Sequence, residues 1–143
     1  LVSKGINLEL INSEMLNIDK KVFDYITLLR KKMIYREEGV AYAFMSKDDY
    51  EPFGLTNAEA RSKVNAFGSV KQFKIWCLFT ESVDKKDIRW VGSLRSHSLP
   101  LNEIASRYHG GGHANACGIK LYNQQEADSL IEELAKLAAT EHF

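Results

Sequence analysis

At 143 residues, with 45% hydrophobic and 27% charged residues and two prolines, the chain has the composition of one ordinary soluble globular domain, not of a disordered or fibrous segment. Nineteen basic residues balance nineteen acidic ones, which excludes an overall positive field that would draw in long nucleic acid, so any anion site has to be local. No apolar run approaches the roughly 20 residues of a spanning helix, and no charged-then-apolar leader opens the sequence, so no membrane partner and a cytoplasmic location are expected.

The chain opens Leu1-Val2-Ser3-Lys4 without an initiator methionine, in a segment with helical spacing, and is expected to be a fragment of a longer protein. From Gly5 to Asn17, Ile6, Leu8, Leu10, Ile11, Met15 and Leu16 suit a short docking helix or linker. Between Asp19 and Tyr35 the apolar Val22, Ile26, Leu29 and Met33 recur at steps of four, three and four, which predicts an amphipathic helix.

Val40 to Met45 is a continuous apolar run of strand length, expected to be buried on both faces. Asp48-Asp49 lacks a partner carboxylate or histidine nearby and reads as a solvated helix start. Thr56 and Glu59 form a capping box that predicts a helix from about Asn57 to Ala66, stopped by Gly68. Phe73 to Thr80, rich in aromatic and branched residues, predicts a second long strand, and Asp84-Lys85-Lys86-Asp87 a turn into a third. In that third strand Ile88, Trp90, Gly92 and Leu94 take one face, and Arg89, Val91, Ser93 and Arg95 the other.

After Pro100, the residues Leu101, Ile104, Ala105 and Tyr108 mark one face of a short helix that the following glycines terminate. Ala114 to Leu121 predicts a further strand of small residues, and Asn123 with Glu126 caps a final helix carrying Ala127, Leu130, Ile131, Leu134 and Leu137. Helices interleaved with strands predict an α/β fold, with a mixed sheet of about five strands packed between helices. Cys77 and Cys117 sit in apolar stretches and read as reduced packing residues.

The residues that carry chemistry lie around the run Gly110-Gly111-Gly112-His113. Three glycines leave the backbone free to reach positive φ, so amides can converge on an anion as a nest; the competing reading is a tight turn and nothing more. His113 can donate to a phosphate oxygen and, as imidazolium, add a charge; it can equally be a solvated residue near a turn. Arg95, on the polar face of its strand, offers a guanidinium that binds phosphate bidentately, or a surface ion pair, while Ser93 and Ser96 offer hydroxyls.

Ala114, Ala116 and Gly118 allow close approach of a ligand or another backbone. Asn115, among them, suits either a ribose or base contact or a turn. His109, His113 and Cys117 recur at intervals of four, but three glycines between the histidines argue against the helix that a zinc site at this spacing needs.

Taken together, Ser93-Leu94-Arg95-Ser96, Leu101-Asn102-Glu103-Ile104-Ala105 and Gly110-Gly111-Gly112-His113-Ala114-Asn115-Ala116-Cys117-Gly118 resemble the DHH-associated C-terminal domain of DHH-family phosphoesterases, nearest the nanoRNase/pAp-phosphatase branch. The resemblance runs from about Gly39 to the end, and it implies that residues 1–38 are connector helices from an N-terminal catalytic domain and that 39–143 form the substrate-binding domain. In that family an N-terminal domain holds two divalent metal ions, usually manganese, on aspartates and histidines that include an Asp-His-His signature, and none of these is in this chain. The resemblance implies no catalytic residue, metal ligand or cofactor here.

It further implies that Arg95 and His113 grip the phosphate of a short oligoribonucleotide or of 3′-phosphoadenosine 5′-phosphate. Gly110, Gly111, Gly112, Ser96 and Asn115 would help to position it, against the N-terminal DHH domain of the same protein. A homodimer of the parent is carried as an expectation, with oligomeric state left open. His109, where relatives often have a fourth glycine, and Cys117 depart from the family pattern. The competing readings are a tRNA-contacting module like that of alanyl-tRNA synthetases, a non-catalytic nucleotide-binding domain, and the lobe of a single-strand DNA exonuclease or of a cyclic dinucleotide phosphodiesterase.

Overall fold

The structure, a computed structural model, describes residues 19–67, 70–83 and 87–141. The expected opening helix, the stop at Gly68 and most of the Asp84–Asp87 turn lie outside the described residues.

Helix α1 (Lys20–Lys32) starts where the Asp19 carboxylate accepts the Lys21 N–H (2.8 Å) and buries Tyr25 and Leu29. It ends earlier than its apolar spacing suggests, because Met33 turns extended and Ile34–Arg36 becomes strand β1. Branched and aromatic side chains favour that switch, and the turn at 37–39 closes β1 onto β2 (Val40–Met45) as an antiparallel hairpin. The turn needs Gly39, whose φ is +109° and whose added Cβ would lie 2.9 Å from Lys74.

Ser46 and Asp49 form a capping box at α2 (Lys47–Tyr50), and Thr56 and Glu59 form another at α3 (Asn57–Arg61). The helix expected as far as Ala66 passes instead into a 3₁₀ segment, Ser62–Phe67, that buries Val64 and Phe67. There follow β3 (Ile75–Glu81), β4 (Trp90–Ser96), α4 (Asn102–Arg107), β5 (Gly111–His113), β6 (Ala116–Leu121) and α5 (Gln124–Ala139). Asn123 Oδ1 accepts the Glu126 N–H at 2.8 Å and so caps α5.

The sheet has six strands in the order β1-β2-β3-β4-β6-β5, with β2 and β3 parallel and the other pairs antiparallel. The expected fold class holds; the count of about five falls short because β1 and β5 are only three residues each. One face packs α4 and α5 onto Ile75, Cys77, Phe79, Trp90, Leu94, Cys117, Ile119 and Leu121. The other packs α1, α2, α3 and the 3₁₀ segment onto Ala41, Ala43, Met45, Trp76 and Leu78. Both cysteines are buried and free.

The two layers differ in extent. The second core cluster includes residues of β2 and β3 but none of β4, β6 or β5; its 3₁₀ segment also packs against β4, and the corresponding face of β6 and β5 carries no part of that core among the described residues. None of the described helices is long and apolar enough to cross a membrane.

Candidate functional site

The half-face outside the second core cluster is built by strand alternation. In β4 the residues Trp90, Gly92, Leu94 and Ser96 are buried, and the half-buried Val91, Ser93 and Arg95 point the other way. Arg95 pairs with Trp76 of the second core cluster, which fixes its side as the face on which that cluster lies. Directly paired residues share a face, so the register gives rows across the half-sheet. One row runs Arg95, Ala116, His113; the next runs Ser93, Gly118, Gly111; a third pairs Val91 with Lys120. The middle row has no side chain larger than a serine, and it forms the floor of a trough.

Arg95 and His113 stand on either side of Ala116, about 10 Å apart at the backbone from two strand spacings. Arg95 Nη1 donates to the carbonyls of Leu94 (2.9 Å) and Cys117 (3.5 Å), and no carboxylate among the described residues pairs with it. The His113 side chain is exposed and has no hydrogen-bond partner among the described residues. Trp76 flanks Arg95 on the side away from Ala116 and is itself covered by the His97 ring, with centroids 4.6 Å apart.

The glycines adopt a different local form from the open loop expected. Gly111–His113 is the outermost strand of the sheet, paired only to β6. Successive amides of a strand point to opposite sides, so they do not converge as a nest. The three glycines are also not equivalent. A Cβ on Gly110 would lie 1.9 Å from the Gly118 carbonyl oxygen, and one on Gly112, where φ is +143°, would lie 2.5 Å from that of Ala116. Both are glycine because β6 runs against them.

A Cβ on Gly111, by contrast, would meet nothing within 4 Å, and one on Gly118 would meet only the Gly92 carbonyl, at 3.9 Å. Packing within the chain does not require glycine at these two positions, which are cross-strand partners on the floor of the trough.

Ser96 and Asn115 lie elsewhere. Ser96 is buried on the opposite face from Arg95; its hydroxyl donates to the Leu99 carbonyl (2.5 Å) and accepts from Asn115 Nδ2 (3.1 Å). Asn115 also reaches the Leu99 carbonyl at 3.5 Å. Together they tie the β5–β6 turn to the segment leaving β4, and so hold the two halves of the Arg95–His113 row in register. Ser93, one residue before Leu94, is the hydroxyl that faces the trough.

At the far end lies a cavity of about 340 Å³ lined by Arg61, Val91, Ser93, Gly110, Gly118 and Lys120, among others. Nothing in the sequence marks Arg61, since its place depends on α3 packing over β3. Lys120 was legible: once Ala116 and Gly118 are assigned to a ligand-facing side, alternation puts Lys120 there too. His109, which also lines this cavity, has φ of +60°, meets the Tyr122 ring edge-on (centroids 4.4 Å apart) and bonds Glu126 (3.2 Å). The Tyr122 N–H, aided by His109, holds the Glu126 carboxyl below its usual range.

The described residues do not fit a metal ion, since no three histidine, cysteine or acidic side chains among them cluster suitably. Cys117 is buried beside its cross-strand partner Leu94, its Sγ donates to the His113 carbonyl (2.9 Å), and its thiol is pushed up by burial, against the opposing influence of Arg95. Chemically, the arrangement sets three groups able to donate to an anion, Arg95, His113 and Ser93, on one side of the sheet.

Residues 37–140 match the family model described as the DHHA1 domain. The chain is 36% identical over 101 residues to the bifunctional oligoribonuclease and PAP phosphatase NrnA of Bacillus subtilis, covering 71% of this chain and 31% of that protein. It is 35% identical over 117 residues to the uncharacterized protein MG371 homolog of Mycoplasma pneumoniae, covering 80% of this chain and 33% of that protein.

Among solved structures, an exopolyphosphatase-related protein from Bacteroides fragilis superposes with a TM-score of 0.74 and 25% identity over 94% of this chain and 40% of that one. The pGpG-specific phosphodiesterase PggH from Vibrio cholerae, at TM-score 0.61 and 15% identity over 86% of this chain and 40% of its own, shares the fold. The chain spans about a third of the length of the curated relatives it matches. With its mixed six-stranded sheet, its glycine-rich edge strand and a family match across most of its length, the chain belongs to the DHHA1 domain family.

Proposed function

We propose that this chain is the substrate-holding lobe of a metal-dependent DHH phosphoesterase that hydrolyses short oligoribonucleotides, 3′-phosphoadenosine 5′-phosphate, or both. The observation that carries the reading is the row Arg95, Ala116, His113 beside the floor of Ser93, Gly118 and Gly111, on a half-face outside the second core cluster. Two unpaired groups able to donate to phosphate flank a gap where backbone comes close to the surface. A guanidinium and an imidazole gain most from an anion when neither already has a carboxylate partner.

In this reading residues 39–143 form the binding domain, and residues 1–38 connect it to an N-terminal DHH domain of the same protein. Arg95 and His113 hold the phosphate, and Gly111 lets it approach the main chain. Gly110 and Gly112 hold the edge strand against β6, while Ser96 and Asn115 brace the turn beside it. The partner domain would supply two divalent metal ions, manganese being the expected species, and with them the activation of water. This lobe contributes orientation and positive charge, which act on the reaction through positioning. The parent protein is expected to be cytoplasmic, and a homodimer of it remains part of the proposal. The names of the NrnA relatives favour this reading over a tRNA-binding module.

The test is calorimetric titration of the chain with 3′-phosphoadenosine 5′-phosphate and with the dinucleotide pApA. Weak binding that disappears in an Arg95→Ala, His113→Ala double variant is expected, with no hydrolysis by the chain alone in the presence of manganese. Equal affinity in wild type and double variant would remove the phosphate grip from these residues.

A further inference from the structure

The trough does not end at the Arg95 row. Its other end carries Arg61 and Lys120, which line the 340 Å³ cavity together with Ser93 and Gly118. Arg61 Nη1 donates to Asn57 Oδ1 (2.5 Å) and to Thr80 Oγ1 (3.3 Å), which holds the guanidinium over the row Thr80, Val91, Lys120. Its remaining donors have no partner among the described residues, and neither Arg61 nor Lys120 pairs with a carboxylate there. Burial lowers the Arg61 pKa, and the opposing influence of Tyr50 does not cancel that effect. A half-buried guanidinium left without a counter-charge is costly, and a bound anion would relieve it. The carboxylate in contact with a lining residue, Glu126, is already engaged by His109 and the Tyr122 amide.

We propose that Arg61 and Lys120 form a second phosphate subsite, so that the trough takes a single-stranded oligonucleotide carrying several phosphates in preference to a mononucleotide. The proposal rests on the phosphate grip of Arg95 and His113 and extends it. Arg95 and Val91 lie four residues apart in one strand, so the two cationic rows are about 13 Å apart. One phosphate group cannot bridge that span, whereas roughly two steps of an extended nucleotide backbone can. Between the rows lie Ser93, Gly118 and Gly111, over which a sugar-phosphate chain can pass without meeting a large side chain. The spacing of the charges, not their number alone, sets the ligand class.

The experiment measures the affinity of the chain for pA, pApA, pApApA and inorganic tripolyphosphate over a range of salt concentrations. In wild type, pApApA is expected to bind at least tenfold more tightly than pA, with a salt slope steeper by about 0.7 for each added phosphate engaged. In Arg61→Gln and in Lys120→Gln the ratio of pApApA to pA affinity should fall about fivefold or more, with the slope lower by about 0.7. Tripolyphosphate, too short to span the rows, should show no such dependence on either residue.

An unchanged ratio in both variants, or equal binding of pA and pApApA by wild type, overturns the second subsite and leaves the first intact. The same sensitivity for tripolyphosphate overturns the spacing argument. Failure of wild type to bind any nucleotide sinks the underlying reading and the subsite with it. Thermal melts accompany each variant; should Arg61→Gln unfold, Lys120→Gln decides, because its side chain holds no internal bond among the described residues.

Discussion

Arg95 and His113 face the same side of the sheet with one small residue, Ala116, between them in a cross-strand row. They are 18 positions apart in sequence, and a one-residue slip of either pairing would send one of them to the opposite face. Their common side therefore depends on the turn that Ser96 and Asn115 brace.

Arg95→Ala is expected to weaken binding of 3′-phosphoadenosine 5′-phosphate by about 1.5–3 kcal/mol, the range for a hydrogen bond to a charged group. Arg95→Lys should recover only part of the loss, because an ammonium cannot offer the paired donors of a guanidinium. Calorimetry on the three proteins checks this, and full recovery in the lysine variant would mean that charge alone matters.

The three glycines should separate cleanly. Gly110→Ala and Gly112→Ala place a methyl 1.9 Å and 2.5 Å from carbonyl oxygens of β6 and are expected to destabilise the chain by at least about 1–3 kcal/mol. Gly111→Ala meets nothing, so its stability should stay within about 0.5 kcal/mol of wild type, while nucleotide affinity falls. Urea melts and titrations of the same three variants give both readouts. Full affinity in Gly111→Ala would show that no ligand approaches there.

Asn115→Ala removes the bonds to Ser96 Oγ (3.1 Å) and the Leu99 carbonyl (3.5 Å). A stability loss of about 1–2 kcal/mol is expected, with hydrogen exchange rising first in β5. If the side chain instead contacted ligand directly, stability would be unaffected and affinity alone would drop.

Asp49 gives a pH-dependent test. Burial pushes its carboxyl up, but Lys32 and the Ser46 N–H and hydroxyl outweigh this, and the net shift is downward. A folded-state value below the unfolded one adds stability at neutral pH, and that contribution is lost as pH falls through the folded value. Asp49→Asn should therefore cost about 1 kcal/mol at pH 7, and the gap should narrow below the ordinary aspartate value of about 3.9. Melts of both proteins at pH 7 and pH 3.5 check the sign; a constant gap would remove ionisation from the explanation.

Both thiols should resist iodoacetamide in the folded chain at neutral pH. Burial raises the pKa of Cys77 and of Cys117, and the thiolate is the reactive form. Intact-mass measurement should show no adduct without denaturant and two with it; rapid native modification of Cys117 would contradict its burial beside Leu94.

The sequence alone determined a good deal. The 3.6-residue spacing of Ala127, Leu130, Ile131 and Leu134, the Thr56–Glu59 box and the two-residue alternation through Arg95 are local signals, and each matches an element of the fold. Because alternation fixes facing once a strand is given, Arg95 and Ser93 were assignable to one side before any coordinates. The short strands were not legible. Ile34–Arg36 continued an amphipathic pattern, and three glycines carry no alternation, so β1 and β5 exist only because neighbouring strands offer hydrogen bonds to them.

Tertiary structure alone decided which face of β6 and β5 stays outside the second core cluster, since that depends on where α1, α3 and the 3₁₀ segment end across the sheet. It also decided that Ser96 and Asn115 bond each other on the buried side, and that Arg61 comes to lie beside Lys120. Periodicity reports which side of an element a residue takes. Which elements lie over that side is set by contacts between residues distant in sequence, and no local pattern encodes them.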